Sequence, residues 1–171
     1  MTIEEAITTA IVYEKKVHAT YAAAAKRAED ETAKKVFLTL AEEEQGHVTY
    51  LESRLMEWQK EGQLSNERLR TVLPSAERIK SGVKRLRSQV AQRKGSHAAE
   101  LDSLRQALAA EDETSSFYGR MVAELPAEGQ SLFSRFLEIE DGHAAIVQAE
   151  MDSVNQSGFW FDLKEFDLEL A

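Results

Sequence analysis

Glu-x-x-His occurs twice in a chain that has only four histidines, as Glu44-Gln45-Gly46-His47 and as Glu140-Asp141-Gly142-His143. Residues at i and i+3 share one face of a helix, so each motif presents a carboxylate and an imidazole to the same ion. Each motif is preceded at nearly the same distance by a lone glutamate: Glu14 lies 30 residues before Glu44, and Glu111 lies 29 before Glu140. The match extends further. Tyr21 and Tyr118 each follow the lone glutamate by seven residues, Ile11 and Leu108 each precede it by three, and glycine stands before both histidines. The segments 1–61 and 97–154 therefore read as two copies of one unit. Together they offer four carboxylates and two imidazoles. Carboxylates crowded in an apolar core repel one another and lose hydration, so they cannot all stay ionised without cations. Two divalent ions would balance four carboxylates. Oxygen-rich ligands with imidazole favour iron or manganese over tetrahedral zinc, and the absence of cysteine removes every thiolate alternative.

Helices must carry these residues. Thr2 and Glu5 make a capping box for a first helix over about 3–29, with Ile7, Ile11, Val17 and Tyr21 at helical spacing. A second helix is expected over about 31–61, turning Val36, Phe37, Leu40, Val48, Leu51, Leu55 and Trp58 inward, with Gly62 as its stop. A third runs over about 97–124 from an N-cap at Ser96 to Pro126, and a fourth over about 128–154. At 1.5 Å rise per residue each is about 35–45 Å long, and four similar helices predict an all-α four-helix bundle. In an up-down bundle the six metal-ligating side chains meet in the core.

The remaining segments differ in character. Residues 62–96 are too long for a hairpin loop and suit the long crossover of a ferritin-like bundle. Ile79, Val83, Leu86 and Val90 mark part of it, about 75–93, as a basic amphipathic helix that packs on the bundle or a second subunit. Charge divides accordingly: net −4 over 1–65, +7 over 66–95 and −12 over 96–171. The basic island has no aromatic residues for base stacking and sits between acidic blocks, which argues against nucleic acid. Its apolar stripe also has no aromatic residue to anchor it on a membrane surface, and no apolar run approaches membrane-spanning length. Residues 155–171 hold Phe159, Trp160, Phe161 and Phe166, aromatic residues expected to pack on the bundle or a partner subunit. The sequence opens without a secretory pattern, so a cytoplasmic protein is expected.

Glu14, Glu44-x-x-His47, Glu111 with Phe117-Tyr118, and Glu140-x-x-His143 together resemble the rubrerythrin-like branch of the ferritin-like superfamily. The resemblance implies two iron ions, with manganese as the alternative. It makes Glu44 and Glu140 the bridging ligands, Glu14 and His47 terminal on one ion, and Glu111 and His143 terminal on the other. It further implies reduction of hydrogen peroxide or dioxygen, or oxidation of ferrous iron, in a homodimer. The alternatives are a ferroxidase or iron-handling protein and a non-enzymatic metal-responsive interaction protein. Two departures stand out. The chain has no cysteine to build the rubredoxin iron site of full-length relatives, so electrons are expected from an external donor protein or from ferrous iron itself. Where rubrerythrins place a further carboxylate, three residues after the third-helix glutamate, this chain has Thr114. Around the centre, Tyr21 and Tyr118 are ordinary core aromatics or phenols bonded to ligand carboxylates. His18, at i+4 from Glu14, is expected beside the ligands or as a neutral core residue, and His97 in solvent. Gly46 and Gly142 each cost a helix about 1 kcal/mol relative to alanine, which points to a need for room near the site.

Overall fold

The computed structural model describes residues 1–65, 67–86 and 97–166. They form α1 (Ile3–Arg27), α2 (Glu31–Glu61), α3 (Ala76–Leu86), α4 (Ala98–Glu124), α5 (Ala127–Ser157) and the short α6 (Leu163–Phe166). No strand occurs among the described residues. The fold is an all-α, ferritin-like bundle of α1, α2, α4 and α5.

Local chemistry sets the helix ends. Thr2 Oγ1 accepts from the Glu5 N–H, and Glu5 accepts from the Thr2 N–H in return. Asp30 accepts from the Thr32 and Ala33 N–H groups and starts α2 only three residues after α1 ends. Gly62 and Gly158 end α2 and α5 in left-handed conformation, with φ of 68° and 67°, which glycine adopts without steric cost. The last long helix thus runs three residues past its expected end at 154. The expected N-cap Ser96 lies outside the described residues, and His97 at that boundary makes no side-chain cap bond.

Packing follows the repeat. The short connections make α1 and α2 one antiparallel pair and α4 and α5 the other, and α1 also packs on α4. Helices α2 and α5 meet through larger side chains, with the His47 and Tyr50 rings 5.4 and 5.9 Å from that of Phe136. The apolar core is in two parts. One contains Val17, Phe37, Leu40, Leu104, Ile146 and Trp160, and the other Ile7, Leu51, Phe117, Phe133 and Phe136. Along every bundle helix the metal-ligating candidates lie between these two parts. A polar layer across the middle of the bundle divides the core.

The crossover helix α3 packs on α5, burying Ile79 and Gly82. The second half of the expected amphipathic helix, with Val90, lies outside the described residues. The described lysines and arginines of the basic island, Arg68 to Arg85, are exposed. The aromatic tail folds back onto the bundle. Trp160 and Phe161 are buried, and Trp160 meets Phe37 edge-on at 5.5 Å. No described helix is long and apolar enough to cross a membrane.

Candidate metal centre

Glu14 from α1, Glu44 and His47 from α2, Glu111 from α4, and Glu140 and His143 from α5 converge at mid-bundle, each no more than 1% exposed. The helical period brings them there. Each occupies a position on the apolar stripe of its helix where an aliphatic residue would otherwise stand.

Their mutual geometry is paired. Glu44 lies between the two imidazoles, with Oε1 2.7 Å from His143 Nδ1 and Oε2 3.4 Å from His47 Nδ1. Glu140 does the same, with Oε1 3.1 Å from His47 Nδ1 and Oε2 3.3 Å from His143 Nδ1. The other two carboxylates are one-sided. Glu14 Oε2 is 3.0 Å from His47 Nδ1, and Glu111 Oε1 is 3.9 Å from His143 Nδ1. The imidazole planes are 2° from parallel, with centroids 5.4 Å apart. Two overlapping groups result, Glu14-Glu44-His47-Glu140 and Glu44-Glu111-Glu140-His143, sharing Glu44 and Glu140.

Burial and charge act together on these groups. Burial pushes the carboxyls of Glu14 and Glu111 well up, and the charges of Glu140 and Glu44 push them further. Burial also works to raise Glu44 and Glu140, but His47 and His143 outweigh it and hold both below the usual carboxylate range. Burial alone would lower the two imidazoles, yet Glu44 and Glu140 draw both well above the ordinary histidine value. The six groups therefore titrate as a set.

Phenols hold the outer carboxylates, and they do so across the repeat. Tyr21 on α1 donates to Glu111 Oε1 on α4, and Tyr118 on α4 donates to Glu14 Oε1 on α1. Burial and the carboxylates keep both phenols protonated far into the alkaline range, so each remains a donor. Phe133 and Phe136 pack on Tyr118, with ring centroids 5.5 and 5.1 Å away.

Several expectations change here. His18 does not join the cluster; it is half-buried and its Nδ1 bonds to the Ala41 carbonyl at 2.8 Å. His97 is half-buried rather than solvated, with Nε2 shielded from water. Thr114 is buried beside the layer and turns its hydroxyl back to the Ala110 carbonyl at 2.9 Å. The two glycines are not equivalent. A Cβ on Gly142 would lie 3.2 Å from the Pro74 carbonyl oxygen, so this glycine admits the crossover segment close to α5. Gly46 is exposed with nothing within 4 Å of such a Cβ, and it creates no room inside. Sequence reasoning missed Glu43, whose carboxylate lies near both imidazoles; its position four residues before His47 was the available signal.

A metal fits this donor set. Both oxygens of Glu44 and of Glu140 are buried without hydrogen-bond partners, as is Glu111 Oε2, and a buried anion left so is costly unless a cation is close. The buried carboxylate and histidine groups could hold metal. Residues 5–151 match the family model described as Rubrerythrin. Neither a curated protein nor a solved structure matches the chain. With most of its length matched and an all-α ferritin-like bundle around a buried carboxylate-histidine layer, the chain belongs to the rubrerythrin family.

Proposed function

We propose that the chain is a di-iron oxidoreductase that reduces hydrogen peroxide or dioxygen with electrons from an external donor. The observation that carries this reading is the division of Glu44 and Glu140, each with one oxygen toward His47 and the other toward His143. Carboxylates so placed would bridge two ions, with Glu14 and His47 completing one site and Glu111 and His143 the other. Bound there, the iron pair supplies the place where the oxidant binds and the two electrons that peroxide takes up, with two protons, to become two waters.

The protein's part is to hold and to exclude. Tyr21 and Tyr118 keep the outer carboxylates turned toward the centre. Phe133, Phe136 and the flanking apolar layers keep bulk water out, which strengthens each charge interaction inside. The four carboxylates offset the four positive charges of two divalent ions, so the loaded layer is neutral within an apolar core.

The experiment is anaerobic reconstitution with ferrous iron, followed by rapid mixing with peroxide and measurement of peroxide consumed and near-ultraviolet absorbance of ferric iron. Two ferrous ions per chain and consumption of one peroxide per ion pair are expected, with both lost in Glu44→Ala. Protein that loads two ions yet leaves both peroxide and dioxygen untouched refutes the redox reading. A second reading, ferroxidation and iron handling, is favoured by Thr114, whose hydroxyl is engaged with its own helix and supplies no carboxylate at that position. It predicts rapid ferrous oxidation by dioxygen, release of ferric iron, and no dependence on an electron donor.

A further inference from the structure

One carboxylate beside the centre has no counterpart in the repeat. Aligning Glu44 and His47 with Glu140 and His143 sets Glu43 opposite Ile139, a buried core residue. Glu43 is half-buried and stands one turn before His47 on the same face of α2. Segment 71–72, which follows α2 in the crossover, grips it at both oxygens: Thr71 Oγ1 donates to Oε2 at 2.5 Å, and the Val72 N–H donates to Oε1 at 3.3 Å. A carboxylate oxygen has two lone pairs, so each can accept once more.

The histidines supply what would use that capacity. A carboxylate oxygen of Glu43 and one ring nitrogen each of His47 and His143 lie within 4.8 Å of one another. The Nδ1 atoms of both rings face Glu44 and Glu140. The Nε2 atoms of both rings are buried and have no hydrogen-bond partner, although both residues are at most 1% exposed. An imidazole that gives Nδ1 to a metal carries its proton on Nε2, and that N–H needs an acceptor to set the ring's tautomer and orientation. Glu43 is thus an acceptor beside both rings, within reach of their unpaired Nε2 atoms by a side-chain rotation or through one water.

We propose that Glu43 is the positioning residue for both imidazoles, accepting their Nε2–H groups directly or through one water, and that Thr71 and Val72 couple the crossover to the metal centre through it. The inference rests on the proposed two-ion centre. It assigns to the crossover a role at the site, and it places that role on one half of the repeat only.

The test is anaerobic ferrous-iron binding by competition with a chromophoric chelator, alongside the visible spectrum of the cobalt(II)-loaded protein. Glu43→Ala is expected to weaken ferrous binding about 10- to 100-fold and to shift the cobalt bands, in the range typical of groups that orient metal ligands. Glu43→Gln, which keeps one of the two accepting oxygens, is expected to restore part of the affinity. Thr71→Val, which loosens Glu43 without touching either ring, is expected to fall between. The thermal midpoint of the metal-free protein is expected to fall only by the few degrees that a lost crossover hydrogen bond explains, about 2–4 °C, and as far in Thr71→Val as in Glu43→Ala. If wild type and Glu43→Ala each take up two ions with equal affinity and equal cobalt spectra, the inference is overturned and the proposed centre stands. Equal losses in Glu43→Ala and Glu43→Gln also overturn it, because charge and not hydrogen bonding would then matter. Failure of the wild type to take up two ions overturns the centre and the inference together.

Discussion

Loading the centre with metal should expel protons, because the ligands must lose theirs to bind an ion. The imidazoles favour ionised Glu44 and Glu140, while burial and these two charges favour the protonated forms of Glu14 and Glu111. The same two carboxylates keep His47 and His143 protonated above the ordinary histidine value. Two negative and two positive charges make a neutral layer. Two divalent ions need all four carboxylates ionised and both imidazoles neutral, which is again a neutral layer. The exchange therefore releases protons, and the four groups with raised proton affinity, Glu14, Glu111, His47 and His143, set an upper limit of about four per ion pair.

The sign follows directly. The four groups with raised pKa bind protons tightly, so protons compete with metal as pH falls and stop competing as pH rises through the raised values. Where all four groups hold protons, the pair-binding constant should rise about 10⁴-fold per pH unit, or about 1.36 kcal/mol for each proton per unit. The assay is calorimetric titration with manganese(II) at pH 6 in buffers of different ionisation enthalpy. The dependence of apparent heat on buffer enthalpy counts the protons released. Glu14→Gln should lower that count by one. Release of one proton or none per ion pair, or an affinity indifferent to pH between 5 and 7, would refute the charge reasoning.

The other predictions concern what supports the layer. Gly46→Ala meets open space and should stabilise the protein by about 1 kcal/mol, whereas Gly142→Ala presses on the Pro74 carbonyl and should give less than that or a loss, read by chemical denaturation. Tyr118→Phe leaves Glu14 Oε1 without its donor and should weaken metal binding about 10- to 100-fold; Tyr21→Phe should match it through Glu111, and a loss in only one of them would argue against equivalent crossed contacts. Trp160→Ala removes a buried ring from between the tail and Phe37 and should cost about 3–5 kcal/mol; a change below 1 kcal/mol by the same denaturation would show that the tail adds little to the core.

Much of this protein was legible in its sequence, for reasons that are local. The capping box at Thr2, the glycine stop at Gly62 and apolar spacing are properties of short stretches, and they sufficed for the main helices, although the Asp30 cap of α2 and the Gly158 stop of α5 emerged only in the structure. The repeat of Glu, Glu-x-x-His and Tyr pointed to six candidate ligands, because a helix puts i and i+3 on one face wherever it sits. Less legible were the roles of residues whose partners lie on other helices. His18 has ligand-like spacing from Glu14, but the packing of α1 against α2 gives its ring the Ala41 carbonyl. The matching glycines look alike in sequence, yet only Gly142 lies under the crossover.

By itself, then, the sequence determined the helices, the two-copy plan and the donor types, because periodicity and composition need no knowledge of distant neighbours. Only the tertiary structure decided that each tyrosine serves the carboxylate of the opposite copy, that Glu44 and Glu140 stand between the imidazoles, and that Glu43 is held by the crossover. Those contacts join residues 28 to 104 positions apart, or divide one side chain between two helices. They depend on how α1, α2, α4, α5 and the crossover pack together, a geometry that no single segment encodes.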